Sequence, residues 1–143
     1  MTQPGLTQIS PELVDLLRQS PDETRHRLVE RACLLAVQRT KVADPKVTEA
    51  LDAIRSRSFG IEDLRSRIDD LTQELDEAAW DIQERVDTGD ANRDEYRRAF
   101  GKARAVAAVG FALDDSLTAS FDSLYEAYYA IDNRDDFLRA VAN

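Results

Sequence analysis

Residues Ala99 to Leu113 read AFGKARAVAAVGFAL, and the last nine of them, Ala105 to Leu113, carry no polar side chain. A surface helix keeps one face charged, whereas a helix that is apolar all round is buried. Nine residues are too few to cross a bilayer, which takes about 20. The stretch is therefore expected to be the buried central helix, about 93–113, of a small bundle. Ala99, Ala103, Ala107 and Gly110 follow one another at steps of four, four and three. Small residues at that spacing let a second helix come close.

Outward from this stretch, start signals mark the other helices. Ser10-Pro11 and Asp44-Pro45 each pair an N-cap residue with a proline suited to the first helical position. Ser20 with Glu23 and Asn92 with Glu95 have the spacing of capping boxes. Asp115-Ser116 and Asn133 open the last two helices. Between them lies the longest segment, about 61–87, where Ile61, Leu64, Ile68, Leu71, Leu75, Ala78 and Ile82 alternate steps of three and four. That is a heptad seam over three repeats. Thr88-Gly89-Asp90 stops it. No strand alternation and no repeated unit occurs. The sequence predicts an all-α, single-domain helical bundle of six or seven helices over 11–143, with 1–10 as a flexible N-terminal segment.

With 143 residues, the chain suits one domain with a real core. The opening MTQPGLTQIS lacks the basic patch and apolar run of a signal peptide, which points to the cytoplasm. Only three of the 19 basic residues are lysines, a usage that suggests a GC-rich bacterial genome. Cys33 is the single cysteine and sits in an apolar run, so it is expected to be a small buried hydrophobe. His26, between Arg25 and Arg27, is expected to be an exposed structural histidine. Phe121, Tyr125 and Tyr128 share a core-facing stripe, from which Tyr129 falls aside.

Charge is distributed unevenly. Between Gly60 and Glu95 there are 13 acids and four arginines, a balance of −9 that equals the net charge of the whole chain. Glu62-Asp63, Asp69-Asp70 and Asp76-Glu77 recur every seven residues, so each pair stacks over the last in one ridge, which Glu84 extends on the side away from the seam. Like charges spaced along a helix repel by a few tenths of a kcal/mol per pair. Most surfaces intersperse the two signs. Trp80 stands opposite Ile68, Leu75 and Ile82. A covering element is the expectation there, because large aromatics are highly buried on average.

These features point to a non-enzymatic protein-interaction module, an acidic bundle docking to a basic partner protein as an inhibitor, an immunity-type protein or an adaptor. The expected contact residues are Glu62, Asp63, Asp69, Asp70, Asp76, Glu77 and Glu84, with Trp80 as anchor. Direct nucleic-acid binding is disfavoured, since it uses a basic stripe, and no membrane segment is present. No catalytic residue, cofactor or metal ligand set is assigned. A structural homodimer through the 61–82 seam is the alternative.

A second alternative comes from a short pattern. Glu74-x-x-Glu77 followed by Glu84-x-x-Asp87 resembles the Glu-x-x-Glu plus Glu-x-x-Asp magnesium motif of the all-α nucleotide pyrophosphohydrolases. The resemblance covers 14 residues and implies carboxylates converging on a magnesium ion. In that family the two halves lie on facing helices, whereas here six residues separate them within one predicted helix.

Overall fold

The computed structural model describes residues 4–61 and 63–142. Among them are eight helices and no strand: α1 (Leu6–Ile9), α2 (Pro11–Gln19), α3 (Asp22–Thr40), α4 (Pro45–Ser56), α5 (Leu64–Asp87), α6 (Arg93–Ala112), α7 (Leu117–Ile131) and α8 (Arg134–Ala140). The all-α bundle is as expected. The eighth helix is the single turn α1, in the segment expected to be flexible. Leu6 and Ile9 are apolar and three apart, so one turn is enough to bury both.

Most starts follow the side chains read from the sequence. The Ser10, Ser116 and Asn133 side chains accept from the backbone N–H groups of Leu13, Ala119 and Asp136, at 3.1, 3.0 and 2.9 Å. Asp44 accepts from Lys46 at 2.8 Å, and Asn92 accepts from Glu95 at 2.9 Å. Each side chain satisfies one of the donors that a helix start leaves orphaned.

Two starts differ. Ser20 does not cap α3; its hydroxyl donates to the Leu16 carbonyl at 2.6 Å and so closes α2 instead. The long helix begins at Leu64 rather than at Ile61, because Asp63 adopts a left-handed conformation with φ 66°. Aspartate tolerates that region better than most residues. Ile61 consequently leaves the seam and is 41% exposed.

The apolar half of α6 is the centre of the bundle. Gly101, Ala103, Ala105, Val106, Ala108, Val109, Gly110 and Ala112 are buried, and α3, α4, α5 and α7 all pack on this helix. The small-residue side meets α5. A Cβ added to Gly110 would lie 3.2 Å from Ile68 Cγ2 and 3.3 Å from Asp69 Oδ1.

Leu64, Ile68 and Leu71 of the seam are buried against this core, and Leu75 and Ile82 are half-buried. Ala78 is exposed and Ala79 is buried in its place. An ideal helix drifts about 20° per heptad against a strict seven-residue repeat, which moves the contact by one residue toward the far end. Beyond Leu75, α5 and the polar first half of α6 continue together as a helical hairpin closed by Thr88–Asn92. No helix among the described residues is long and apolar enough to cross a membrane.

Gly110→Val places a branched side chain where α5 crosses α6. Overpacking of this kind costs about 2 kcal/mol, and the expected result is a lower urea midpoint with an unchanged slope.

Candidate functional site

The acidic ridge is split by the structure into two rows. In each described pair, the first residue turns toward α6. Asp69 Oδ1 accepts from Arg65 Nε at 2.9 Å and lies beside Gly110, while the Arg65 guanidinium sits 5.3 Å from the centre of the Phe111 ring. Asp76 accepts from Arg104 of α6 at 2.6 Å and is only half-exposed. The expectation that both lie on the far side from the seam is corrected. Arginines on or against α6 draw them across, which the spacing within α5 alone does not reveal.

The second residues, Asp70 and Glu77, face solvent, as do Glu74, Asp81 and Glu84. Asp70, Glu74, Glu77, Asp81 and Glu84 recur at steps of four, three, four and three, forming one continuous row. No member of the row makes an ion pair with another described residue; Glu77 accepts only a 3.4 Å hydrogen bond from Gln73 of its own helix. Asp63 is exposed at the head of the helix. Glu62 lies outside the described residues.

Trp80 stands in the middle of this surface with no covering element, and it is 68% exposed. The expectation of a covered tryptophan is therefore overturned. Among the described residues α5 packs on α6 and α4, and neither covers the outer face at Trp80. Glu77 and Glu84 lie one turn to either side of Trp80, at i−3 and i+4, where helix neighbours meet.

Arg104 is a residue that the sequence reading passed over. It donates to Asp76 at 2.6 Å and to Glu126 of α7 at 2.7 Å, and its guanidinium lies 5.4 Å from the centre of the Phe100 ring. One half-buried arginine thus joins three helices. Burial pushes the Glu126 carboxyl above its ordinary range, against the pull of Arg104, and burial also raises Asp122 one turn away. The only signal in the sequence is a lone arginine at the edge of an apolar run.

Glu74, Glu77, Glu84 and Asp87 all belong to α5. Among the described residues, no group of three or more His, Cys, Asp or Glu side chains is placed to hold a metal ion. His26 is largely covered, contrary to expectation. Its Nε2 meets Asp115 and its ring lies 5.5 Å from that of Phe59. Beside it Arg25 is buried, donating to the Ser116 carbonyl at 3.1 Å and to Ser120 Oγ at 2.7 Å, which fastens the α6–α7 turn to α3. Cys33 is buried as expected, 3.4 Å from Ser123 Oγ, and burial pushes its thiol up to about 12.

Comparison of the chain with protein-family models, curated proteins and solved structures found no match.

Two outcomes follow from these side chains. Cys33 reacts with iodoacetamide at neutral pH only when the protein unfolds, because the thiolate is the nucleophile and the folded site holds the thiol protonated and enclosed. Mass spectrometry of native and urea-treated samples measures this. Arg104→Met leaves Glu126 and Asp76 without their shared cation and costs about 2 kcal/mol near neutral pH. With Arg104 gone, nothing opposes the burial that raises Glu126. A carboxyl raised in the folded state favours folding when protonated and loses that contribution as pH rises through its folded value. The deficit in urea-melt stability is therefore largest near neutrality and shrinks as pH falls toward the ordinary glutamate value of 4.5.

Proposed function

We propose that this chain is a non-enzymatic protein-interaction module that docks a basic partner protein on the outer face of α5. The contact is made by Asp70, Glu74, Glu77, Asp81 and Glu84, with Trp80 as its anchor and Asp63 at its edge. An inhibitor, an immunity-type protein or an adaptor works in this way. The exposure of Trp80 carries the reading. The largest apolar side chain in the chain stands in water beside a row of acids that make no ion pair with a described residue. Tryptophan is enriched among the residues that dominate binding energy, and such anchors sit centrally with polar residues around them. The acid row supplies the complementary charge that speeds encounter with a basic surface.

Asp69 and Asp76 support this face rather than belong to it. The Asp76–Arg104 bond, and Arg65 held by Asp69 over the Phe111 ring, tie α5 to α6 in one rotation about its axis with Trp80 outward.

A photo-crosslinking phenylalanine analogue in place of Trp80, in the full chain within its native cells, tests the reading. The expected product is one dominant adduct with a protein of high isoelectric point. Glu77→Lys with Glu84→Lys weakens that association about tenfold or more, mainly through a slower on-rate that high salt also produces in the parent. An adduct with an acidic protein, or one indifferent to the double reversal, overturns the proposal.

A further inference from the structure

A second charged surface has the opposite sign. The C-terminal end of α3, the first half of α6 and the end of α7 enclose a groove of about 820 Å³. Its lining includes Arg39, Lys41, Arg97, Arg98 and Lys102, and Asp132 is the only acid among the lining residues. The groove exists because two helices end at its rim. Lys41 and Asp132 both take left-handed conformations, φ 60° and 54°, which turn the chain away there. Its floor is a close approach: a Cβ on Gly101 would lie 3.3 Å from Thr40 Cγ2.

Arg39 has a structural task. It donates to the Ile131 carbonyl at 3.2 Å and to Asp136 at 2.7 Å, tying α3 to α7 and α8. Lys41 sits at a helix C-terminus, where the helix dipole favours a cation. Neither explanation covers the other three. Arg97, Arg98 and Lys102 lie in the first half of α6, away from any C-terminus of that helix. With Lys41 they make no ion pair with a described residue. In a chain with 28 acids against 19 bases, cations gathered in one groove without an ion pair repel each other, and Asp132 is the one acid in the lining to offset them.

Tyr129 completes the wall. It is 43% exposed, and its ring is held edge-on by Tyr125 at 5.1 Å and Tyr128 at 5.2 Å.

We propose that this groove binds a small organic ligand carrying two or more phosphates. Arg97 and Arg98 take phosphate oxygens in forked hydrogen bonds, Lys41 and Lys102 add point charges, and the Tyr129 ring packs on the ligand's planar body. The volume falls within the range of small-molecule sites, about 300–1,000 Å³. The site is separate from the Trp80 face and stands independently of it.

The test is isothermal titration calorimetry on the full chain in metal-free buffer, with inorganic triphosphate and adenosine triphosphate as probes. One triphosphate binds per chain, and adenosine triphosphate binds more tightly. Arg97→Ala with Arg98→Ala weakens both about tenfold or more, while Arg55→Ala on the remote α4 changes neither. Tyr129→Ala removes the preference for the nucleotide without abolishing triphosphate binding. Absence of saturable binding, an equal loss in Arg55→Ala, or tighter binding of a hexaglutamate peptide each overturns the proposal.

Discussion

From Ala105 onward α6 has no polar side chain to offer water, whereas six of its first ten residues are charged. That division within one helix imposes the rest of the arrangement. Residues 105–112 require neighbours on every side, and α3, α4, α5 and α7 supply them. Residues 93–98, mostly charged, cannot enter the same core, and α5 accompanies them as the other limb of a hairpin. Small side chains allow this crossing. At Gly110 the two backbones come so near that Ile68 and Asp69 fill the space a side chain would occupy. A bulkier residue there would hold α5 away and weaken the cover over Val106 and Val109.

Charge then sorts itself by which helix leaves the core in which rotation. Arg65 and Arg104 draw Asp69 and Asp76 toward α6, and the acids that remain on the outer side of α5 make no ion pair with a described residue. Asp70 with Glu74 and Glu77 with Asp81 are like pairs at i,i+4, each opposing helix formation by a few tenths of a kcal/mol. The packing of Leu64, Ile68 and Leu71 offsets this, since burying a leucine or isoleucine contributes about 2 kcal/mol. Arg97, Arg98 and Lys102 of α6 line the groove beside α3 and α7. A chain with net charge −9 therefore carries one face of each sign.

The local grammar of the fold was legible. Ser10, Asp44, Asn92, Ser116 and Asn133 cap the helices whose starts they mark, because a cap acts within three residues and needs no tertiary information. The central helix was legible for a related reason, since an all-apolar run has no exposed option. Other features depended on distant partners. Ser20 could cap forward or close backward, and only the geometry of the α2–α3 turn decides. Asp69 and Asp76 look equivalent to Asp70 and Glu77 until Arg104 arrives from another helix. The basic groove joins residues near 40, 100 and 130, which averages over segments hide behind the acids of α5. Trp80 is exposed against expectation because burial statistics describe the average tryptophan and not one on the face of a helix that packs on its other side.

Exposure of Trp80 and rigidity of its setting bear on each other. An exposed aromatic on a loose segment loses conformational entropy on binding and makes a poor anchor. Here the limb is fixed from its base. Arg104 joins Asp76 of α5 to Glu126 of α7 and lies against Phe100, which in turn stacks on Tyr96 at 5.8 Å. Asp76 is one helical turn before Trp80, so the network sets the rotation of α5 at the point where the indole leaves it. The most buried charges of the hairpin are thereby coupled to its most exposed apolar group. For the proposed docking face this coupling matters, because an anchor contributes to affinity in proportion to how little order it must still acquire.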